Sequence, residues 1–387
     1  MIRVCLLGAT GSIGLQTIEY CFEKKDLFSI EGISFRSRKE VIEKYLIYLP
    51  NLKYVAIEDE KVALEFKKEH EEYEVISGDN CSLELVKKNA FDKVVNALVG
   101  EAGFLSSVET LKLDMDLCLA NKESLVIGGE IIKDVLKKSK GKLFPIDSEH
   151  VALHKLFKHS SLEEIERVII TASGGSLREL PKEKLKYVTK EEVLNHPTWK
   201  MGNRITIDSA TMVNKGFEFI EACHLFNINI DDIEVLINDE SIIHSALLYK
   251  DNSYLFEVGP SDMKVAIGYA LNEGRRVKAN FKDIMFNRKT SLNFRYFDEE
   301  RYPLFTKVIE TYKKKGTAMA FFNAVDEELI SYFLKDVISF EEMVNLIIKI
   351  VDEKMINIIN PSVNDIVKVD KLAREIVNSY MNERAKA

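Results

Sequence analysis

The first 150 residues alternate short apolar, β-branched runs with stretches in which apolar residues recur every three or four positions. The runs predict buried strands, and the spaced positions predict amphipathic helices such as residues 13–24 and 39–48. This alternation is typical of an α/β fold with a doubly wound parallel sheet. The predicted strands cover residues 3–9, 29–35, 54–58, 74–77, 93–99, 116–120 and 142–146.

The pattern changes after residue 147. Strand-like runs at 167–172, 204–207, 233–237, 253–258 and 292–294, with a helix at 209–226, predict an α+β region. Beyond residue 298 the pattern is almost purely helical. In the last helix Leu372, Ile376 and Tyr380 form an apolar stripe that needs a partner. We therefore expect three domains, at residues 1–147, 148–297 and 298–387.

Composition narrows the possible functions. The 387 residues carry a net charge of −8, which argues against a general nucleic-acid binder but allows a local site for a small anion. The five cysteines are scattered and form no C-x-x-C pair, as expected of reduced thiols. The chain shows neither a signal-peptide pattern nor an apolar stretch of 18 residues, so we expect a cytoplasmic protein that does not bind membranes.

A glycine-rich turn, Gly8-Ala9-Thr10-Gly11-Ser12-Ile13-Gly14, follows the first predicted strand directly and opens a helix. Glycines at these positions allow a tight turn and a close approach of the backbone to a pyrophosphate at the helix N-terminus. The strand–turn–helix context predicts a Rossmann-like dinucleotide site. A purely structural turn is the alternative.

The end of the second predicted strand indicates which dinucleotide binds. A site for NAD would place an acidic residue there to bind the ribose 2′-hydroxyl. This strand runs instead into Arg36, Ser37 and Arg38. Arginine suits a 2′-phosphate, so the sequence favours NADP(H) over NAD(H). A solvated basic loop is the alternative.

Acidic residues follow the strand predicted at 142–146. Alternation along an extended chain would point Asp147 and Glu149 in one direction and Ser148 in the other. Two carboxylates at the carboxyl edge of a parallel sheet, with a third acid from elsewhere, would suit Mg²⁺ or Mn²⁺. The competing interpretation is a solvated, acid-rich start of a helix.

Further polar groups come from the second region. A helix capped by Asp208 or Ser209 would place Asn214 and Glu218 on one face, with Lys215 adding positive charge beside a phosphate. An ordinary surface helix explains the same residues.

Two further features of this region have open interpretations. The backbone N–H groups of the turn at residues 173–175 would suit an anion, and a purely structural turn is the alternative. Trp199 belongs either to a lid over a ligand or to a packed surface.

The order of these segments resembles the 1-deoxy-D-xylulose 5-phosphate reductoisomerase family over nearly the whole chain. The matching motifs lie at residues 8–14, 96–97 with 100, 120–124, 145–150, 171–175, 196–202, 208–218 and 316–318 with 323–324. The chain departs from the family at Ser261 and Lys264, where relatives usually carry proline and arginine. It also carries Arg36 where many relatives carry glycine.

The resemblance implies roles for individual residues. A divalent metal, Mg²⁺ or Mn²⁺, would be bound by Asp147, Glu149 and Glu218. The substrate would contact Lys122, Ser148, Glu149, Ser173, His196, Trp199, Ser209, Asn214, Lys215 and Glu218. Catalysis would use Lys122, Glu149 and His196. NADPH would contact Thr10, Gly11, Ser12, Ile13, Arg36, Ser37, Arg38, Asn121, Glu123, Met201 and Gly202.

The resemblance also implies the reaction. The metal-chelated sugar phosphate would undergo retro-aldol cleavage and aldol rejoining, and hydride from NADPH would then reduce the branched aldehyde. The first domain would bind NADPH, the second would hold metal and substrate under a flap, and the chain would form a homodimer. Two rival hypotheses are an NADP-dependent dehydrogenase without rearrangement and a catalytically silent NADP(H) sensor. Neither gives a purpose to three converging acids.

Overall fold

A computed structural model of the chain describes residues 1–199, 201–278 and 291–384. The strands are β1 (Ile2–Leu7), β2 (Phe28–Phe35), β3 (Tyr54–Ile57), β4 (Glu74–Ser77), β5 (Lys93–Asn96), β6 (Asp116–Leu119), β7 (Leu143–Pro145), β8 (Ile165–Ala172), β9 (Ile233–Asn238), β10 (Ile243–Tyr249), β11 (Tyr254–Val258) and β12 (Phe294–Arg295).

Helices occupy most of the remaining described chain. They are α1 (Ser12–Glu23), α2 (Lys39–Tyr45), α3 (Glu60–Glu69), α4 (Cys81–Lys87), α5 (Phe104–Lys112), α6 (Glu123–Leu136), α7 (Ser148–Phe157), α8 (Lys190–Leu194), α9 (Asn203–Thr211), α10 (Val213–Phe226), α11 (Met263–Leu271), α12 (Pro303–Lys313), α13 (Ala318–Leu334), α14 (Phe340–Lys354) and α15 (Val363–Arg384). In the described part of the chain, no helix has the length and apolar character needed to cross a membrane.

The chain packs into two compact units. Unit 1 contains residues 1–124, 130–151 and the described residues from 262 to 278. Unit 2 contains residues 125–129, 152–261 and the described residues from 291 to 384. Helix α11 thus joins unit 1, although the sequence grouped it with residues 148–297. The division into three domains stays a prediction.

Unit 1 is built on a parallel sheet with the strand order β4-β3-β2-β1-β5-β6-β7. The chain leaves β1 toward β2 on one side, while β5 lies on the other side of β1. Ligands of doubly wound proteins bind at this switch point, beyond the carboxyl ends of the strands. Residues Val4 to Leu7 of β1 have no exposed surface, as expected of a central strand covered on both faces.

Helix α11 is capped by its own N-terminal residue and is joined to α1 by an ion pair. The carboxylate of Asp262 accepts a hydrogen bond from the N–H of Lys264 at 2.9 Å and so caps the helix. The ammonium of Lys264 lies 2.8 Å from the carboxylate of Glu19 on α1. The lysine that departs from the family pattern therefore has an ion pair.

Unit 2 contains a mixed sheet with the order β11-β10-β8-β9-β12 and a group of helices. Strands β8 and β9 are parallel, whereas β10 is antiparallel to both β8 and β11. Among the helices, α13 is apolar on most of its surface and packs against α14 and α15. A helix that is apolar nearly all round belongs in a core.

The α/β class, the parallel sheet, the mixed sheet and the helical C-terminal region are confirmed. Three local predictions were wrong. Residues 204–207 are helical and belong to α9, and strand β10 was missed. The buried stripe of α15 runs through Ile366, Val369, Ala373 and Val377, whereas Leu372 and Ile376 are only half-buried. Short apolar runs do not distinguish a strand from one turn of a helix.

Candidate active site

The glycine turn after β1 has the geometry that close packing demands. Gly8 has a φ of +81°, and a Cβ there would lie 2.4 Å from the carbonyl oxygen of Ala97. A Cβ at Gly14 would lie 2.3 Å from the oxygen of Gly8, so α1 packs directly on the turn. Gly11 precedes α1, and no side chain caps the helix. The first N–H groups of α1 therefore lie beyond the carboxyl end of β1. Thr10, Ser12 and Ile13 belong to the same turn and helix start.

The basic residues after β2 are exposed, and each arginine has a partner. Arg38 donates a hydrogen bond to the carbonyl oxygen of Thr10 at 2.7 Å and so holds the glycine turn. The Nε of Arg36 lies 3.2 Å from a carboxylate oxygen of Glu58, which follows β3. The Arg36 side chain is 81% exposed. This pairing leaves the Arg36 guanidinium within reach of solvent at the carboxyl edge of the sheet.

Asn121 and Glu123 lie at the same edge, after β6. The amide of Asn121 donates to the carbonyl oxygens of Leu98 and Gly100 at 3.1 and 2.8 Å, and Glu123 accepts from the N–H of Gly100 at 3.2 Å. Both side chains therefore support the loop after β5. Their predicted contact with NADPH stays a prediction, and the structure adds this supporting role.

The acids after β7 form a compact cluster in unit 1. A carboxylate oxygen of Asp147 and one of Glu149 lie within 4.8 Å of each other. Asp147 accepts hydrogen bonds from Lys122 Nζ at 2.8 Å and from the N–H groups of Glu149 and His150 at 3.0 and 3.2 Å. Ser148 donates from Oγ to Glu149 at 2.6 Å. The cluster holds two carboxylates and one ammonium group in a small volume.

Charge decides the protonation of Asp147. Burial alone would raise the pKa of this carboxyl, but the Lys122 ammonium and His150 outweigh burial and hold the pKa well below its ordinary value. The Nδ1 of His150 lies 2.9 Å from Oδ1 of Asp147, whereas Lys122 contacts Oδ2. Asp147 is therefore an anion at neutral pH, as a metal ligand must be.

The predicted reason for the proximity of these acids was wrong. Strand alternation does not apply, because β7 ends at Pro145 and α7 begins at Ser148. Asp147 instead caps α7, and Glu149 lies in the first turn. The sequence predicted that Asp147 and Glu149 point the same way because the backbone is extended. In the structure they lie close together because both belong to the N-terminus of α7.

In unit 2, three residues of α10 and the end of β8 form a second cluster. Lys215 donates to the carbonyl oxygen of Thr171 at 2.6 Å and also pairs with the carboxylate of Glu218. The amide of Asn214 donates to the other carboxylate oxygen of Glu218 at 2.5 Å. Glu218 is only 2% exposed. The predicted sharing of one helix face by Asn214 and Glu218 is confirmed.

The predicted start of this helix was wrong. Ser209 lies inside α9, which begins at Asn203, so neither Asp208 nor Ser209 caps a helix that presents N–H groups to a phosphate. Met212, with a φ of 63°, separates α9 from α10. The backbone of Ser209 nevertheless packs closely against the turn after β8. A Cβ at Gly175 would lie 2.7 Å from the Ser209 carbonyl oxygen.

His196 and Ser173 are in contact in unit 2. The Nε2 of His196 lies 2.9 Å from the Oγ of Ser173, while Nδ1 accepts from the N–H groups of Trp199 and Thr198 at 2.9 and 3.2 Å. Because Nδ1 accepts, the proton of the neutral ring is on Nε2. Burial and the nearby Arg178 lower the pKa of His196 to about 4. The imidazole is therefore neutral at physiological pH.

The other residues that were predicted to form a flap follow His196 in the chain. Trp199 and Met201 are half-buried, Gly202 is exposed, and Lys200 lies outside the described residues. A Cβ at Gly202 would meet no atom within 4 Å. The sequence did not identify Arg178, His150, Glu58 or Tyr302 as site residues. Glu58 and Tyr302 lie far in sequence from the residues that they contact. His150 lies only three residues after Asp147, and this i, i+3 spacing is a signal that could have found it.

Comparison with known proteins identifies the family. Models described as 1-deoxy-D-xylulose 5-phosphate reductoisomerase match residues 4–129, and models of its C-terminal domains match residues 143–226 and 258–376. A protein of that name from Thermoanaerobacter sp. is 39% identical over 384 residues, which is 98% of this chain and 100% of the relative. The chain belongs to this family. The Bacillus pumilus reductoisomerase is likewise 39% identical, over 98% of this chain and 100% of its own length.

Solved reductoisomerase structures share the fold. The enzyme from Zymomonas mobilis in complex with NADPH is 31% identical, with a TM-score of 0.88 over 98% of this chain and 99% of its own. A reductoisomerase in complex with NADPH, fosmidomycin and magnesium is 28% identical, with a TM-score of 0.91 over 99% of this chain and 98% of its own. Reductoisomerases of this fold thus bind NADPH and magnesium.

Proposed function

We propose that the chain converts 1-deoxy-D-xylulose 5-phosphate into 2-C-methyl-D-erythritol 4-phosphate and oxidises one NADPH per turnover. A C–C bond of the substrate is cleaved and a new one is formed, and the resulting aldehyde carbon accepts a hydride while its oxygen accepts a proton. One observation supports this most strongly. Unit 1 carries the carboxylate pair Asp147 and Glu149 at the same sheet edge as the glycine turn.

The residues present fit both a metal ion and NADPH. Carboxylate oxygens are the ligands that Mg²⁺ and Mn²⁺ prefer, and Asp147 and Glu149 offer them within 4.8 Å of each other. The glycine turn leaves no space for a side chain at Gly8 or Gly14 and opens α1 without a side-chain cap, which suits a pyrophosphate. When bound, the metal polarises the hydroxyketone oxygens and NADPH supplies the hydride.

Glu218 is the third metal ligand in this proposal. Its carboxylate is buried, and Lys215 and Asn214 fix its orientation. A buried carboxylate that is held by a lysine is the arrangement also seen for Asp147 and Lys122. For Asp147, the Lys122 ammonium and His150 hold the pKa of the carboxyl well below its ordinary value, so this carboxylate is ionised.

The substrate phosphate is assigned to unit 2. Ser173 supplies a hydroxyl, the turn after β8 supplies N–H groups, and Asn214 and Lys215 supply an amide and an ammonium. Ser209 lies beside this turn through its close contact with Gly175. The Nε2–H of His196 points at Ser173 and can donate to the same anion.

Lys122, Ser148 and Glu149 are assigned to the reacting hydroxyl and carbonyl groups. The Lys122 ammonium stabilises negative charge on the substrate oxygens, and the hydroxyl of Ser148 orients Glu149. Trp199 covers the substrate as part of the flap, and Met201 and Gly202 border the nicotinamide. Water exclusion by this flap protects the aldehyde.

The activity is tested by the loss of NADPH absorbance with 1-deoxy-D-xylulose 5-phosphate, with and without Mg²⁺ or Mn²⁺. We expect metal-dependent oxidation and a branched polyol phosphate as the product. Oxidation that is unaffected by metal chelation would favour a simple dehydrogenase. Tight NADPH binding without turnover under any metal would favour a sensor.

Discrimination between NADPH and NADH is expected to depend on Arg36. The Arg36→Glu variant should raise the KM for NADPH about tenfold, because a charge-assisted bond to the 2′-phosphate is replaced by repulsion. NADH lacks this phosphate and should be affected far less. Glu58→Gln, which removes the carboxylate 3.2 Å from Arg36, should leave NADPH binding equal or stronger. Steady-state kinetics with both cofactors measures the ratio.

The control for this prediction is Arg3→Gln. Arg3 is also a partly exposed arginine paired with a carboxylate, that of Asp92 at 2.6 Å, but it lies at the start of β1. Its replacement should leave the NADPH-to-NADH ratio unchanged. Equal effects of Arg36→Glu on both cofactors would refute the assignment of Arg36 to the 2′-phosphate.

A homodimer is the assembly that we propose for the chain. Tyr254 of β11, Phe294 of β12 and Tyr296 are 53%, 43% and 91% exposed, and aromatic side chains of this kind are enriched at interfaces. The resemblance to the family supports the same state. Light scattering after size exclusion should give twice the chain mass of 44.3 kDa, and a mass of one chain would contradict the proposal.

The cytoplasm is the compartment that we propose. All five cysteines are buried thiols without a disulfide bond, as is usual in a reducing compartment. The NADPH that the reaction consumes must also be present where the enzyme works. Fractionation of the source cells with an antibody to the chain should recover it with cytoplasmic markers, and recovery with secreted proteins would overturn this location.

A further inference from the structure

The turn after β8 has an unusual backbone in unit 2. Gly174 and Gly175 both have positive φ values, +84° and +75°. A Cβ at Gly175 would lie 2.9 Å from Cα of Ala210 as well as near the Ser209 carbonyl, so α9 leaves no space for a side chain. Successive backbone N–H groups of a turn can form a concave site that binds anions. This turn carries Ser173, which is assigned to the substrate phosphate.

Two carbonyl oxygens of this turn are held from outside. The Nη1 of Arg178 donates to the carbonyl oxygen of Ser173 at 2.6 Å and to that of Asp239 at 3.3 Å. The hydroxyl of Tyr302 donates to the carbonyl oxygen of Gly174 at 3.1 Å. Tyr302 is only 7% exposed, and its ring stacks on Phe297 at a centroid distance of 5.3 Å. Neither residue belongs to the predicted site.

The hydrogen bonds to the Ser173 and Gly174 carbonyl oxygens determine the direction of the N–H groups that follow them in the chain. In a trans peptide the carbonyl oxygen and the following N–H point in opposite directions, and the described chain has no cis peptide bond. The N–H groups of Gly174 and Gly175 therefore point away from Arg178 and Tyr302. The N–H of Gly175 lies 3.3 Å from Ser173 Oγ, which places it on the side of the Ser173 hydroxyl and His196.

We propose that Arg178 and Tyr302 are positioning residues, which turn the N–H groups of Gly174 and Gly175 toward the substrate phosphate by holding the preceding carbonyl oxygens on the opposite side. This inference rests on the assignment of the Ser173 turn to the phosphate and extends it. Arg178 also joins the turn after β8 to the residue after β9, and it therefore fixes the turn relative to the sheet.

The Tyr302→Phe variant tests this role with the smallest change. It removes only the hydroxyl and keeps the ring on Phe297. We expect the KM for the sugar phosphate and the inhibition constant of inorganic phosphate to rise about three- to tenfold, the usual effect of one hydrogen bond. The kcat and the KM for NADPH should stay within about twofold, since the turn is assigned to the substrate phosphate and not to the nicotinamide.

Arg178→Gln should produce the same pattern with a larger increase, about tenfold or more, because two carbonyl contacts and a charge are lost. Arg178→Lys should recover part of the loss. The control is Tyr332→Phe, which removes a hydroxyl that donates to Asn378 at 2.7 Å within unit 2 and should match the wild type.

Unchanged phosphate inhibition in both Tyr302→Phe and Arg178→Gln would overturn the proposal. Equal losses in kcat, in NADPH binding and in thermal stability would also overturn it, since they indicate a general structural role. Should Arg178→Gln fail to fold, Tyr302→Phe decides alone. Calorimetric titration with inorganic phosphate gives the same comparison without turnover. A wild type that binds phosphate but does not convert the sugar phosphate would therefore contradict the activity and not this inference.

Discussion

Replacing Glu218 by glutamine is expected to lower metal-dependent turnover at least about 100-fold. Changes outside the direct ligands of a metal already reduce affinity or activity by about 10- to 100-fold, and a direct ligand should matter more. Glutamine keeps the size of the side chain but loses its charge. The concentration of Mn²⁺ that gives half-maximal rate should rise, which a titration of rate against metal measures.

The same substitution should also cost stability, and the structure gives the reason. Lys215 and Asn214 both donate to the carboxylate of Glu218, and an amide nitrogen cannot accept from either. The buried Lys215 ammonium would keep its bond to Thr171 but would lose its charged acceptor. We expect a loss of about 1.5–3 kcal/mol, as for hydrogen bonds to charged groups. Urea unfolding measures this loss separately from the rate.

Asp370→Asn is the matched control. Asp370 is a buried carboxylate of α15 that pairs with Arg374 at 2.8 Å, and it has no proposed role in the reaction. Its replacement should reduce stability without changing turnover per folded molecule or the metal requirement. Wild-type activity and metal dependence in a folded Glu218→Gln variant would remove Glu218 from the metal site.

Motifs within one strand–turn–helix were predictable from the sequence. The glycine turn, the strand before it and the basic residues after β2 follow from short-range rules on backbone conformation and charge. The shared face of Asn214 and Glu218 follows from helical spacing. Each of these predictions depends on residues that are close in the chain.

Predictions that needed tertiary contacts were incomplete. Whether residues 204–207 form a strand or part of α9 depends on what they pack against, and the start of α10 at Val213 is set by the left-handed Met212. Tyr302 contacts the turn after β8 from a position 128 residues away, and Arg178 joins this turn to Asp239, which is 61 residues away. The ion pair between Arg36 and Glu58 could not be predicted either. Glu58 lies beside Arg36 only because β2 and β3 are neighbours in the sheet, and the sequence does not give the strand order.

Replacing Gly14 by alanine is expected to abolish NADPH binding and to cost about 3 kcal/mol of stability, the upper end for overpacked sites. The new Cβ would lie 2.3 Å from the oxygen of Gly8 and 2.6 Å from that of Ala9. Both are backbone atoms that no side-chain rotation can move, so α1 must separate from the turn. Urea unfolding and a fluorescence titration with NADPH measure the two effects.

Gly11→Ala separates cofactor binding from stability at the same turn. Gly11 has an ordinary φ of −77°, and the nearest atom to a new Cβ is the Gly8 oxygen at 3.4 Å. Stability should therefore change by less than about 1 kcal/mol. The added methyl group would nevertheless stand where the pyrophosphate approaches the start of α1, so the Kd for NADPH should rise about tenfold or more. If Gly11→Ala binds NADPH as the wild type does while Gly14→Ala unfolds, the glycines serve the packing of α1 on β1 and the cofactor lies elsewhere.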